Sequence, residues 1–226
     1  MNPPLAIFFS GLVVFLLSYL CGSVPWGFLI GKLNGIDIRE YGSHNIGATN
    51  VRRVLGRDWS ILCFLLDFFK GLLPVLIIGQ RWGAGWAIGA QWGGLLAAAG
   101  AVLGHVFSCW LKFHGGKGVA TSLGVALALA WLPVLLGGIA WLIFFHFTRV
   151  VAIASIAAVV VMAIASLVLW LGGWGCTWPI AVLMVVLALI VVLRHSENIR
   201  RLLNGTENIF KLKREKKEEE AGKEGK

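Results

Sequence analysis

The sequence predicts an all-α integral membrane protein that crosses the bilayer several times. Of its 226 residues, 58% are hydrophobic and only 14% are charged, and the mean hydropathy is +0.82. Uncharged runs of about 20 residues or more recur along the chain, and a helix of that length crosses the hydrocarbon of a membrane. A soluble domain cannot bury so much apolar surface, so that class is excluded.

The first three apolar runs predict one membrane span each. They cover residues 5–31, residues 59–80 apart from Asp67 and Lys70, and residues 82–111. A polar loop, residues 37–58, separates the first two runs, and a short turn, residues 80–86, separates the next two.

Two longer uncharged runs, residues 118–148 and 150–193, flank Arg149. As one helix, the second would be about 66 Å long, more than twice the thickness of the hydrocarbon. It is therefore predicted to fold back at the glycine- and proline-containing segment 171–179. The first run fits either one tilted helix or two short helices that turn near Pro133 and Gly137–Gly138.

The distribution of basic residues decides between these two topologies. Cytoplasmic loops collect Lys and Arg, so the basic clusters are expected on one side of the membrane. These are Arg39/Arg52/Arg53/Arg57, Lys112/Lys117, Arg149 and Arg194/Arg200/Arg201. A return from Lys117 to Arg149 on the same side requires an even number of crossings. The prediction is seven transmembrane helices, with the N-terminus outside and the C-terminus in the cytoplasm.

The domain organisation follows from composition. Residues 1–210 are predicted to form a single membrane-embedded domain. Residues 211–226, KLKREKKEEEAGKEGK, form a charged, low-complexity segment that is typical of a disordered tail. The formal net charge of +9 does not indicate nucleic-acid binding, because no continuous basic face remains outside the bilayer.

The polar loop contains the stretch GSHNIGATNVRR, in which glycines alternate with small polar residues and two arginines follow. Glycines let the backbone N–H groups approach an anion closely, and arginine adds a permanent, forked charge. This combination indicates phosphate binding. The candidates are the backbone N–H groups of the glycine-rich stretch, among them Gly42 and Gly47, with Ser43, Asn45, Thr49, Asn50, Arg52 and Arg53.

A second polar segment, residues 112–122, contains Gly-Gly-Lys-Gly immediately before a helix predicted to begin near Val119. The N–H groups at the start of a helix attract anions. The spacing of a nucleotide-binding P-loop is missing, so a nucleotide is not supported. A solvated turn that only satisfies the helix end is an equally good interpretation of this segment taken alone.

A third polar segment, residues 194–208, follows the last span. His195 and Asn198 are three residues apart and are predicted to share a face of a continuing helix. The alternative is a basic anchor with incidental polar residues. The three segments together indicate two phosphate-bearing ligands, one of them a lipid. No His/Cys cluster has the spacing of a metal site.

Asp67 and Lys70, three residues apart in the second span, have two interpretations. Ionisable residues inside a membrane mark functional sites by default, whereas a pair near the inner rim can be purely structural. The structural interpretation is favoured.

With these motifs in view, the sequence resembles the acyl-phosphate:glycerol-3-phosphate acyltransferases, the PlsY family of bacterial membrane enzymes. The resemblance rests on SYLCGSVPWG, DIREYGSHNIGATNVRRVLG, DFFKG, GHVFSCWLKFHGGKGVATSLG and RHSENIRRLLNGTE, in that order. It implies seven helices in the cell (inner) membrane with the active site on the cytoplasmic face. It also implies transfer of a fatty acyl group from acyl phosphate to the sn-1 hydroxyl of glycerol 3-phosphate. The products are lysophosphatidic acid and phosphate, in the first step of phospholipid synthesis.

The resemblance also implies the roles of individual residues. Ser43, Arg53, Lys117, His195 and Asn198 are expected to be catalytic. Gly42, Asn45, Gly47, Thr49, Asn50, Gly115, Gly116, Gly118 and Ser155 are expected to bind the substrates or their phosphates. No metal, cofactor, acyl-CoA or obligate protein partner is expected, and the acyl phosphate itself is expected to accept the proton. The alternative function is a membrane transporter or binder of a phosphate-bearing solute.

Overall fold

A computed structural model describes residues 2–210, and every regular element in that range is helical. Residues 211–226, predicted as a disordered tail, lie outside the described residues. The described part contains ten α-helices: α1 (Pro3–Ser23), α2 (Trp26–Leu33), α3 (Ala48–Leu55), α4 (Arg57–Leu73), α5 (Ala90–Val106), α6 (Val119–Leu129), α7 (Trp131–Thr148), α8 (Val151–Leu171), α9 (Trp178–Arg194) and α10 (Ser196–Leu203). A π-helical stretch, Pro74–Trp82, continues α4, and 3₁₀ turns lie at Ile38–Glu40 and Cys109–Leu111.

The prediction of a helical membrane protein is confirmed. Five helical stretches are long and apolar enough to cross a membrane: Pro3–Leu33, Arg57–Trp82, Ala90–Leu111, Trp131–Thr148 and Val151–Leu171. A sixth follows if α9 and α10, which meet at a bend of 53°, form one span. Helix α6 is apolar but shorter. The predicted number of seven spans is reached only if α6 is counted as a span.

The first predicted span is interrupted near its end. Helices α1 and α2 are separated at Val24 and Pro25, because proline has no N–H to continue the helical hydrogen bonds. The interruption exposes the carbonyl oxygen of Val24, which accepts a hydrogen bond from Lys70 Nζ at 2.7 Å.

The run 118–148 is divided into two helices, as the charge distribution required, but the position of the break differs from the prediction. The break is at Ala130, and Pro133 and Gly137–Gly138 lie inside α7. Proline is tolerated in the first turn of a helix, where its missing N–H would have no helical acceptor. Pro133 therefore does not end a helix here.

Contacts at the two ends of the helical bundle show that the chain reverses direction between α6 and α7. Gln80 Nε2, near the end of the second span, donates a hydrogen bond to the Ala128 carbonyl at the end of α6. The ring of Phe145, at the end of α7, lies 5.5 Å from that of Phe210, at the opposite end of the bundle. Helix α6 thus leads away from Lys117, and α7 returns. The predicted fold-back at 171–179 is also confirmed, since α8 ends at Leu171 and α9 begins at Trp178.

Glycines allow the central helices to pack closely. Helix α1 packs on α5, and α4 packs on α6. A Cβ atom added to Gly104 would lie 2.2 Å from the Tyr19 carbonyl oxygen, and one added to Gly124 would lie 2.1 Å from the Phe68 carbonyl oxygen. Small residues at helix interfaces are typical of membrane bundles. The outer surface carries many exposed large apolar side chains, such as Phe8, Leu142 and Phe147, as expected of a lipid-facing surface.

Candidate active site

Four polar side chains from two separate segments form a continuous network at one end of the bundle. Lys117 Nζ donates a hydrogen bond to Asn198 Oδ1. Asn198 Nδ2 donates to Glu207 Oε1 at 3.1 Å, and Arg201 Nε donates to Glu207 Oε2 at 2.8 Å. We refer to Lys117, Asn198, Arg201 and Glu207 as the polar network. It joins residues that are up to 90 positions apart in the sequence.

The backbone after α9 explains how Glu207 reaches this network. Helix α10 begins at Ser196 after the 53° bend and ends at Leu203. Gly205 then takes a positive φ of 67°, and the Thr206 N–H donates to the Arg201 carbonyl at 2.8 Å. Because glycine adopts this conformation without strain, the chain turns back here and places the carboxylate of Glu207 between Asn198 and Arg201. The Glu207 side chain is only 4% exposed.

His195 occupies the bend itself and is buried. Its Nδ1 lies 2.7 Å from the Val191 carbonyl oxygen, and because a carbonyl only accepts, Nδ1 carries the proton. Burial, together with the positive charge of Lys117, lowers the pKa of His195 to about 4. At neutral pH its Nε2 is therefore an unprotonated hydrogen-bond acceptor. Asn198 is also buried, but it lies in α10, so the two predicted site residues do not share one helix.

The second polar segment forms a loop, residues 112–118, which we call the glycine loop. Arg194 donates to the carbonyl oxygens of Gly115 at 3.1 Å and Gly116 at 3.3 Å. The N–H groups of these glycines donate to the carbonyls of Val106 and His105. The N–H groups of Gly115 and Gly116 are therefore engaged inside the bundle.

Lys117 and Gly118, at the end of the glycine loop, agree better with a phosphate-binding site than Gly115 and Gly116 do. Gly118 has a φ of 83° and immediately precedes α6, and the N–H groups of Lys117 and Gly118 have no backbone acceptor within residues 2–210. Burial, followed by the charge of Arg201, lowers the pKa of Lys117 to about 8. Lys117 is therefore mostly cationic at neutral pH, and a fraction is neutral.

Arg53 lies in α3 and belongs to the same electrostatic environment. Partial burial lowers the pKa of Arg53, while the negative charge of Glu207 raises it and the positive charge of Arg201 lowers it. The neighbouring Arg52 guanidinium lies 4.5 Å from the centre of the Phe210 ring. The Phe210 N–H donates to the Arg149 carbonyl at 2.8 Å, so the segment after Glu207 links α3 to the turn between α7 and α8.

Two asparagines shape the polar loop from within. Asn50 Oδ1 accepts the Ser43 N–H at 2.7 Å, and Asn50 Nδ2 donates to the carbonyls of Ile38 and Tyr41. Asn45 Oδ1 accepts the Gly47 N–H at 2.9 Å. Asn45 and Asn50, which were predicted to bind phosphate, thus form hydrogen bonds to the backbone of their own loop.

The other predicted residues of this loop lie around these contacts. Gly42 takes a φ of 64°, and a Cβ at this position would lie 2.3 Å from Asn50 Oδ1, so only glycine fits. The Ser43 side chain is half-buried and makes no hydrogen bond to the described residues, and Thr49 is exposed at the start of α3.

The structure does not join every predicted residue to the polar network. Ser43 and Arg53 make no direct hydrogen bond to it among the described residues, and Ser155 is buried in α8.

Arg201 and Glu207 were not predicted as site residues. The signal for them was the glycine at 205, which permits the turn that returns Glu207 to α10. Arg194 was counted only as a topology marker, although it holds the glycine loop.

Comparison with known proteins places the chain in a family. Residues 12–205 match the family model described as glycerol-3-phosphate acyltransferase. The chain belongs to this family. Relatives named glycerol-3-phosphate acyltransferase include that of Aquifex aeolicus, which is 40% identical over 89% of this chain and 100% of the relative. The Geotalea daltonii relative is 45% identical over 89% and 98%, and the Trichlorobacter lovleyi relative is 46% identical over 86% and 94%.

Two solved structures of family members have a similar fold. Both are crystal structures of PlsY (YgiH), an integral membrane glycerol 3-phosphate acyltransferase, in its glycerol 3-phosphate form and its lysophosphatidic acid form. The TM-scores are 0.79 and 0.77, and each comparison has 38% identity and covers 89% of this chain and 96% of the other. The resemblance to the PlsY family that the motifs indicated is therefore confirmed.

Proposed function

We propose that the protein transfers a fatty acyl group from acyl phosphate to the sn-1 hydroxyl of glycerol 3-phosphate, which yields lysophosphatidic acid and inorganic phosphate. The main support is the polar network, in which Lys117, Asn198, Arg201 and Glu207 meet at the end of a lipid-facing bundle. The family membership supports the acceptor, glycerol 3-phosphate. This reaction would supply the first intermediate of phospholipid synthesis.

The charge balance of the site suits two phosphate groups. Lys117, Arg53 and Arg201 provide three positive charges around the single buried carboxylate of Glu207. In this proposal Lys117 and Arg53 bind the phosphate of the acceptor and the phosphate that leaves. The N–H groups of Lys117 and Gly118, which have no backbone acceptor among residues 2–210, precede α6 and add donors that favour the same anions.

The neutral His195 has a different role from the cations. Its Nε2 would accept a hydrogen bond from the other free hydroxyl of glycerol 3-phosphate, while Ser43 and Asn198 orient the sn-1 hydroxyl beside the acyl carbonyl. The hydroxyl oxygen forms a bond to the carbonyl carbon, and the bond from that carbon to the phosphate oxygen breaks. The proton passes to an oxygen of the leaving phosphate, so the substrate acts as its own base. Acyl phosphate is an activated anhydride, and positioning and charge neutralisation provide the catalysis.

The remaining predicted residues serve the binding loops in this proposal. Gly42, Gly47, Asn45 and Asn50 set the conformation of the polar loop, and Thr49 contacts a phosphate from the exposed first turn of α3. Gly115, Gly116 and Gly118 set that of the glycine loop. Ser155 contributes a hydroxyl near the start of α8.

The proposed topology has seven crossings, with α6 counted as a short span. The N-terminus is outside, and the polar network faces the cytoplasm of the bacterial inner membrane. The return of the chain from Lys117 to Arg149 at one end of the bundle supports this arrangement, as does the collection of basic residues at that end.

A donor-discrimination assay tests the function directly. Purified protein is incubated with glycerol 3-phosphate and either palmitoyl phosphate or palmitoyl-CoA, and lysophosphatidic acid is measured. Product from palmitoyl phosphate alone is expected. Product from palmitoyl-CoA alone would contradict the donor, and product from neither would contradict the activity and favour a transporter or binder.

A further inference from the structure

A cluster of ionisable side chains lies inside the bundle beneath the glycine loop. Lys70 Nζ lies 2.8 Å from Asp67 Oδ1, and His105 Nδ1 lies 3.7 Å from the same oxygen. The exposed fractions of Asp67, Lys70 and His105 are 3%, 7% and 4%. We refer to these three residues as the buried ion cluster. Ionisable groups are costly in such a place and are typically retained for a function.

The buried ion cluster directly contacts the glycine loop. A Cβ atom added to Gly116 would lie 2.2 Å from His105 Nε2, and all three of the nearest atoms to it belong to the His105 ring. The Gly116 N–H also donates to the His105 carbonyl at 3.1 Å. The backbone of Gly116 is therefore in close contact with the imidazole, one residue before Lys117.

Two members of the cluster are hydrogen-bonded to other parts of the bundle. Lys70 donates to the Val24 carbonyl, where α1 and α2 separate. The Asp67 carbonyl accepts a hydrogen bond at 3.0 Å from Thr121, in the first turn of α6. The glycine loop has a second attachment, since Arg194 donates hydrogen bonds to the carbonyl oxygens of Gly115 and Gly116. The glycine loop thus contacts both His105 and Arg194.

We propose that Asp67, Lys70 and His105 are positioning residues for the acyl transfer. Asp67, paired with Lys70, lies beside the His105 ring and confines it. The ring confines the backbone at Gly116, and this places the Lys117 ammonium within reach of Asn198 and the substrate phosphate. None of the three residues touches the substrate. The effect on catalysis rests on the proposed function, whereas the effect on the position of Lys117 does not.

A double-mutant cycle tests the contact between His105 and Gly116. His105→Ala and Gly116→Ala are each expected to lower kcat/KM about 10- to 100-fold, since a displacement of about 1 Å costs this much in a catalytic site. In the double variant the alanine methyl group no longer meets a ring, so its kcat/KM should equal that of His105→Ala alone. If the two substitutions acted independently, the fold-loss in kcat/KM of the double variant would be the product of the two single losses. That result would overturn the proposal.

The reactivity of Lys117 provides a readout that does not depend on turnover. The purified full-length protein is treated with an amine-acylating reagent, and the modification of each lysine is measured by mass spectrometry. In His105→Ala and in Asp67→Asn/Lys70→Gln, Lys117 is expected to react at least threefold faster, because it leaves its partly buried contact with Asn198. The exposed Lys112 of the same loop is the internal reference and should not change.

Ser166→Ala is the matched control, because Ser166 is buried and, in the part of the chain that the structure describes, its hydroxyl donates only to the Met162 carbonyl within its own helix. It should change neither activity nor Lys117 labelling. Thermal unfolding in detergent shows whether each variant is folded. If His105→Ala is not folded, the same activity and labelling measurements are made on His105→Gln and on the double variant Asp67→Asn/Lys70→Gln. Unchanged Lys117 labelling in folded variants overturns the proposal, whatever their activity. If the unmodified protein forms no lysophosphatidic acid, the proposed function fails, and the labelling still decides the positioning role.

Discussion

At the scale of single residues, the chemistry of the site depends on protonation states that burial sets. At neutral pH His195 is neutral and Lys117 is mostly cationic, although both lie in one polar region. The ordinary pKa of lysine, 10.5, is well above that of histidine, 6.5, so burial, which disfavours the charged form of each, leaves Lys117 cationic but His195 neutral. The charge of Lys117 also disfavours a second positive charge on His195. Two residues that look alike in sequence, as basic side chains beside a phosphate, therefore act as a cation and as an acceptor.

The first prediction concerns the pH dependence of turnover. Since Lys117 is cationic below its pKa of about 8, kcat/KM for glycerol 3-phosphate should fall as the pH rises through 8. Lys117→Arg should have lower activity at neutral pH but no decline between pH 7.5 and 9.5, because arginine keeps its charge. The measurement is the pH profile of kcat/KM for both proteins. An identical alkaline decline in both would exclude Lys117 as its source.

The second prediction concerns Glu207, whose negative charge raises the pKa of Lys117. Glu207→Gln should move the alkaline decline of kcat/KM to lower pH, because the Lys117 ammonium loses a stabilising charge. Arg201→Gln should move it to higher pH, because a repelling charge is removed. The pH profiles of the two variants test both directions, and shifts of the same sign would contradict the assignment.

At the scale of secondary-structure elements, function depends on where helices end. The breaks at Val24–Pro25, Ala130 and His195 interrupt runs that look continuous in the sequence. The first provides the carbonyl that Lys70 binds, and the third provides the bend that buries His195. Composition predicts the runs because it records hydrophobicity. It does not predict the breaks at Ala130 and His195, because neither residue ends a helix by its own propensity. Tertiary packing determines where these helices end.

The third prediction concerns the packing of α4 on α6. Gly124→Ala should destabilise the protein by about 1–3 kcal/mol, because its Cβ would lie 2.1 Å from the Phe68 carbonyl oxygen. Gly138→Ala, in α7, is the matched control, since no atom lies within 4 Å of its added Cβ. This change should be neutral or slightly stabilising in a helix. Thermal unfolding in detergent measures both, and equal effects would contradict the close approach of α4 and α6.

At the scale of the whole molecule, the fold class, the division of the chain into apolar helices and the family were predictable from the sequence. Hydrophobic runs, charge distribution and five ordered motifs carried that information. The internal geometry of the loops was not predictable. Asn45 and Asn50 bind the backbone of their own loop, and the N–H groups of Gly115 and Gly116 face inward, because these contacts depend on how segments meet in space. Glu207 was missed for the same reason.

The proposed site requires that the glycine loop and the segment after α9 meet at one face of the membrane. Single cysteines at the exposed positions His114, Ser196 and Trp174, in a variant without the four native cysteines, allow labelling by a membrane-impermeant maleimide in vesicles of known orientation. The cysteines at 114 and 196 should react from the cytoplasmic side, and the cysteine at 174 only from the opposite side. Labelling of positions 114 and 196 from opposite sides would contradict the shared site and the acyl transfer proposed for it.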